Sequence, residues 1–300
     1  MLILVLLKKS PDVRGVLRIL AVLLSLAPAM AHADTVYVTY ENTNKVEVFN
    51  EQGIDLGPFV SQGLDAPCGL AFDPIGNLYV ASQGNGTVAK FSPAGIYRGS
   101  FVKGGLNIPW GIAFDHVGNL YVANAGSSTI EKFSVAGQSL GTFASTGLDG
   151  PVDLQFDASG NLYVANMFSK KVVKLSSRGV DQGPLKNTSS DTSEPRAVAL
   201  DRQGNVYVAF AASKTIQRYS ASGAELGVFA KTGVNDPTGM AFDSAGNLYV
   251  VNAGDNTIEK FSPTGEDLGL FAKTGLNKPA FIVAQPDVKK TSVAEAKPSP

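Results

Sequence analysis

PWGIAFDHVGNLYVAN, residues Pro109 to Asn124, is a phrase that this chain repeats with small changes. It recurs as PCGLAFDPIGNLYVAS from Pro67, PVDLQFDASGNLYVAN from Pro151, PRAVALDRQGNVYVAF from Pro195 and PTGMAFDSAGNLYVVN from Pro237. The successive prolines stand 42, 42, 44 and 42 residues apart, and a further 42 residues bring Pro279 and a truncated PAFIVA. Self-similarity at such a period marks a solenoid, a propeller or an array of small units.

Each unit holds four strand candidates. GIAFD is the first and NLYVA the second, with alternating polarity and β-forming residues. TIEKF, at Thr129 to Phe133 and again at Thr257 to Phe261, is the third, and SLGTFA, Ser139 to Ala144, is the fourth. D-x-x-G-N joins the first two as a hairpin: Asp starts the turn through its side chain and Gly takes the turn position that other residues resist. S-x-x-G joins the last two. No stretch after the N-terminal region sustains a helical period, so the units read as four-stranded antiparallel blades of a propeller.

The order within a blade follows from side-chain size. In the first strand Gly111 and Ala113 alternate with Ile112 and Phe114, as an inner strand squeezed between neighbouring blades requires. The fourth strand carries a glycine in every unit and tolerates Pro58 and Pro184, which places it on the outer edge. The repeats begin with a second strand, Thr35 to Tyr40, and end with a first strand, Pro279 to Ala284. Pairing the two completes six blades over residues 34–285 and closes the ring.

Around this unit lie two different segments. Lys8, Lys9, Arg14 and Arg18, then the apolar Ile19 to Met30, then AHA at 31–33, have the order of a secretory signal. The expected mature chain begins near Asp34 and is exported, to a bacterial periplasm or the exterior, with no membrane span left. The polar, proline-bearing residues 286–300 read as an unstructured tail. Without residues 1–33 the chain has 21 basic and 25 acidic residues, and no nucleic-acid partner is expected. One cysteine, Cys68, excludes an internal disulfide. A monomer is expected. Two N-x-S/T sequons, at Asn85 and Asn187, are too short a signal to use.

The pattern P-x-G-[ILM]-A-F-D-x-x-G-N-L-Y-V-A-N followed by T-[IV]-x-K-F resembles the NHL repeat over residues 35–284. That resemblance implies a propeller that binds protein or RNA partners. Propellers with similar blades include metal-dependent lactonases of the gluconolactonase class and lyases such as virginiamycin B lyase. The family often has Asp after YVA, whereas this chain has Asn124, Asn166 and Asn252. The lyases use a histidine at the channel. Here the only histidine after residue 33 is His116, in a D-x-x-G-N hairpin. The lactonases use Glu, Asn and Asp, and their inner-strand Glu has no counterpart in PAFIVA, so Glu41 would have to replace it.

One face of the ring carries the loops from strand four to the next strand one and from strand two to three. It varies between units, while the hairpin face is nearly uniform, so the variable face and its central mouth are the expected site. The binding candidates are Trp110, Asp153, Arg196, Asn166, Met167 and Phe168, for a protein, small-molecule or carbohydrate ligand. Trp110 could serve as a stacking platform or fill the channel mouth; Asp153 and Arg196 could orient a polar ligand or pair with each other. No cofactor is required by this reading. The alternative is a hydrolase or lactonase, or a lyase, at the central channel mouth, with Asp153 and Glu41 as catalytic groups and a divalent cation such as calcium on Asp153, Asn124, Asn166 and Glu41. The asparagines could equally cap loop backbone. Cys68 lacks a histidine partner and reads as a core residue.

Overall fold

A computed structural model describes residues 34–185, 193–273 and 276–286. The signal segment, the sequon at Asn187 and the tail beyond Pro286 lie outside the described residues. Twenty-four strands form six four-stranded antiparallel sheets, with one turn of 3-10 helix at Glu41–Thr43 and no α-helix among the described residues. The structure is a six-bladed β-propeller.

The first blade is ordered β24-β1-β2-β3, with β1 at Asp34–Tyr40, β2 at Lys45–Phe49, β3 at Asp55–Val60 and β24 at Pro279–Pro286. The second holds β4 (Pro67–Phe72), β5 (Leu78–Ser82), β6 (Thr87–Phe91) and β7 (Tyr97–Val102). The third holds β8 (Pro109–Phe114), β9 (Leu120–Asn124), β10 (Thr129–Phe133) and β11 (Ser139–Ala144). The fourth holds β12 (Pro151–Phe156), β13 (Leu162–Asn166), β14 (Lys171–Leu175) and β15 (Asp181–Pro184). The fifth holds β16 (Pro195–Leu200), β17 (Val206–Phe210), β18 (Thr215–Tyr219) and β19 (Glu225–Ala230). The sixth holds β20 (Pro237–Phe242), β21 (Leu248–Asn252), β22 (Thr257–Phe261) and β23 (Asp267–Ala272).

The repeated phrase is one packing solution written out for each blade. In the third blade Asp115 Oδ1 accepts the N–H groups of Val117 (3.1 Å) and Asn119 (2.8 Å), and Oδ2 accepts Asn119 Nδ2 (2.9 Å) and the Tyr121 hydroxyl (3.1 Å). Burial alone would raise this carboxyl's pKa, but the bonds from Asn119, Tyr121 and Val117 outweigh it and hold the group below its ordinary value. The Lys of T-I-x-K-F stands over the same site: Lys132 Nζ is 3.8 Å from Asp115 and 4.9 Å from the Tyr121 ring centroid. Tyr121 is wedged edge-on between Phe143 of its own blade and Phe156 of the next, each ring centre 4.8 Å away. Such pairs add about 0.5–1.5 kcal/mol each beyond area burial. Tyr37, Tyr79 and Tyr207 make the same two contacts, so the Y and F of the repeat join neighbouring blades at four of the six junctions; Leu200 and Ala284 stand in place of the Phe at the other two.

The inner strands touch in ring order, and small residues let them do so. A Cβ added to Gly111 would lie 2.8 Å from the Cα of Asp153 in the next blade. The ring closes where β24 pairs antiparallel with β1, Val38 opposite Ile282. Thr39 secures this seam: its hydroxyl accepts the Phe281 N–H at 3.0 Å and donates to the Phe281 carbonyl at 3.4 Å. The other blades have Ala81, Ala123, Ala165, Ala209 or Val251 at that position, where no seam needs fastening. The outer strands are the exposed ones, with Leu56, Leu140, Leu226 and Leu268 all about half accessible.

Candidate functional site

The loop asparagines are buried and committed to backbone. Asn124 Oδ1 accepts the Asn107 N–H (3.3 Å), Asn166 Oδ1 accepts that of Asp149 (3.0 Å) and Asn252 Oδ1 accepts that of Asn235 (2.9 Å). Each asparagine at the end of strand two thus caps the loop entering its own blade's inner strand. Glu41, in the first blade, pairs with Lys278 at 2.7 Å. The four oxygens proposed for a cation, on Glu41, Asn124, Asn166 and Asp153, therefore belong to three blades and each has a separate partner. Among the described residues, no group of three or more His, Cys, Asp or Glu is placed to hold a metal ion.

Trp110 stands where strand β8 leaves the loop face. Its half-buried indole meets Phe281 edge-on, ring centres 6.2 Å apart, although Phe281 belongs to a blade two places away. On one side it packs against the cluster of Cys68, Ala280 and Phe281, and on the other against that of Val152 and Val198. The indole therefore bridges the channel mouth. Cys68 beneath it is buried, and its thiol reaches the Pro109 carbonyl at 3.2 Å. Burial pushes this thiol up to about 12, so it stays protonated and serves as packing.

Of the two readings of Asp153 and Arg196, pairing with each other does not occur. Arg196 turns to Glu194 at 2.9 Å. Asp153 Oδ2 accepts the Val198 N–H of the neighbouring inner strand at 2.8 Å, and Oδ1 accepts the Leu154 N–H at 2.8 Å. The carboxyl is taken by backbone because it stands where Gly69, Gly111 and Gly239 stand in other blades, pointing at the next inner strand. Inner strands meet less extensively at β12–β16 and at β24–β4 than elsewhere in the ring. These are the junctions where Asp153 and Phe281 replace glycine.

A central cavity of about 570 Å³ runs from the level of Asp153 toward the hairpin face, where Phe72, Phe114, Phe156 and Phe242 line it. On β8 the lining begins at Ile112, two residues past Trp110. The expected opening on the loop face is thus closed by Trp110 and Phe281, and the cavity opens on the face whose hairpins are uniform. Asp153 is half-buried at the edge of the channel space, and burial raises its pKa to about 7 against the two backbone N–H groups that lower it. Gln155, two residues along the same strand, is exposed and lines the cavity beside it. Its signal lay in the sequence: the other inner strands have Ala71, Ala113, Ala199, Ala241 and Val283 at this place, all apolar.

The Met167-Phe168 loop keeps the backbone of its equivalents, in which Gln83, Ala125 and Ala253 make the bond that Met167 makes, and departs from them in its side chains. Met167 N–H donates to Gly150 O (2.9 Å) and Phe168 N–H to Asp149 O (3.2 Å), so the loop is held, while the Phe168 side chain remains 60% exposed. Gly84, Gly126 and Gly254 occupy the Phe168 position in three other blades, each facing an Asp or Asn side chain. The residue before the blade's proline has a left-handed backbone in Ala66, Ile108, Asp236 and Lys278, with φ near +50°. Only the fourth blade has glycine there. A Cβ on Gly150 would lie 2.5 Å from the Phe168 ring. The two departures belong together: Gly150 makes the floor on which Phe168 rests.

No protein-family model matches the chain, and no curated protein matches it. Solved structures do. The chain is similar to one in a nidogen/laminin complex, with TM-score 0.73 and 18% identity over 84% of this chain and 98% of that one. It is similar to a protein of unknown function from Bacteroides caccae, with TM-score 0.68 and 15% identity over 84% and 98%. It is also similar to virginiamycin B lyase from Staphylococcus aureus, with TM-score 0.63 and 13% identity over 80% and 84%. At these identities the likeness is one of fold.

Proposed function

We propose that this chain is an exported NHL-type binding propeller that presents its loop face to a protein partner, with Phe168 as the apolar anchor. The observation that carries this reading is the pairing of Phe168 with Gly150. An exposed aromatic side chain on a hydrogen-bonded loop binds with little ordering cost, and such residues dominate interface energetics. Next to it, Lys170, Glu194, Arg196, Lys214 and Asp236 surround a shallow depression between the fourth, fifth and sixth blades. An apolar centre beside a charged rim is the anatomy of a protein interface. The nidogen/laminin likeness supports the reading in that a propeller of this form takes part in a protein complex.

The test is a quantitative pull-down from envelope extract with the propeller and its Phe168→Ala variant. Truncating an interface anchor costs about 2 kcal/mol or more, so recovery of the partner should fall at least tenfold while the melting temperature is unchanged. Equal recovery by the variant overturns the assignment of Phe168.

A further inference from the structure

We infer that the central cavity is a second binding site, for a small apolar amine whose ammonium group meets Asp153 and Gln155 and whose hydrocarbon body lies along the channel toward the hairpin face. This site is independent of the loop-face reading and lies on the other side of the Trp110–Phe281 plug.

The fold does not require Asp153. Glycine or alanine fills the equivalent position in four blades, at Gly69, Gly111, Ala197 and Gly239, and brings the inner strands together. A carboxyl there opens the junction and carries a desolvation cost that a packing residue would avoid. Gln155 departs from alanine two positions on, and residues at that spacing in a strand share a side. Both departures fall in β12, and both residues line the cavity. Asp153 is the one ionisable residue in that lining. Of the strands packed against it, β8 has no charged residue, Arg196 of β16 is turned to Glu194, and Tyr163 of β13 is engaged by Lys174. A single acid at the closed end of an apolar channel therefore selects a cation or strong donor, and the phenylalanines toward the opening suit both an alkyl or aryl body and a passing ammonium. The volume lies within the range of small-molecule sites, about 300–1,000 Å³.

The experiment is calorimetric titration of the full chain with 2-phenylethylamine, 2-phenylethanol and 3-phenylpropionate. The amine should bind at least tenfold tighter than the alcohol, with the propionate weakest. Amine affinity should fall about tenfold or more from pH 8 to pH 5.5, because a carboxyl titrating near 7 loses its charge over that range. Asp153→Asn should lower amine affinity to that of the alcohol, and Phe168→Ala should leave it unchanged. If Asp153→Asn fails to fold, Gln155→Trp, at an exposed channel position, should block amine and alcohol alike. Equal binding of amine and alcohol, amine affinity retained in Asp153→Asn, or binding unaffected by Gln155→Trp overturns the proposal. So does the absence of amine binding at millimolar concentration.

Discussion

Strands β8 and β12 lie side by side in the ring, take the same backbone path and differ at the two positions that matter. β8 reads PWGIAF and β12 reads PVDLQF. Gly111 of β8 has the Cα of Asp153 pressed against it, so it contributes closeness and nothing else. Asp153 of β12 has the Val198 backbone N–H as its neighbour across a wider junction. The difference teaches that a propeller can exchange packing for chemistry at one inner strand when the rest of the ring keeps its spacing. It also explains why the Asp and the small residue are not interchangeable.

The comparison breaks most completely if the ring itself is opened. Removing residues 279–286 deletes β24, which pairs with β1 and carries Phe281 to the plug. The truncated chain should lose cooperative melting, or melt about 20 °C lower or more, because the first blade then exposes an inner edge. Calorimetry decides, and a variant that melts like the full chain contradicts closure by β24. Next in size is Gly111→Asp, which rewrites β8 in the manner of β12. Here no gap awaits the side chain, so overpacking and an uncompensated acid should together cost about 4 kcal/mol or more. Denaturant unfolding measures it, and a loss well under 2 kcal/mol would mean that the junctions are equally permissive.

The smallest effect is pH-dependent and is read in Asp153→Asn. The Asp153 pKa is raised in the folded state to about 7, so the folded protein binds more protons than the unfolded chain between about pH 4 and 7. Its contribution to stability is therefore lost as pH rises through that window, by up to ~3 kcal/mol between pH 5 and 8. Asparagine keeps one acceptor and does not titrate. The variant's stability relative to the parent should rise from pH 5 to pH 8, as measured by urea midpoints. Glu259 is also raised, to about 7, through burial and its neighbours Asp267 and Asp255, but it is present in both proteins and cancels in the difference. A constant difference across the range would mean that Asp153 is charged throughout.

The architecture was legible because it is local and repeated. Proline spacing counts the blades, D-x-x-G-N places the hairpins, and the orphan strands at 35–40 and 279–284 close the ring. The departures from the repeat were legible as well: Trp110, Asp153 and Phe168 stand out on inspection, and Gln155 does so once β12 is set against the alanines of its neighbours. Their partners were not. Arg196 was the natural charge for Asp153, yet a backbone N–H across the junction takes the carboxyl. Nothing in the repeat pattern ties Gly150 to Phe168, and their relation appears only when two loops are folded together.

The sequence by itself determined the number of blades, the strand order within them and the seam, since each follows from patterns of a few residues that recur at a constant period. Tertiary structure alone decided which end of the channel is open. That depends on Trp110 and Phe281, 171 positions apart and two blades distant, meeting over the axis. Where side chains from different blades converge is set by the diameter of the closed ring, a property of all six units at once that no single repeat contains.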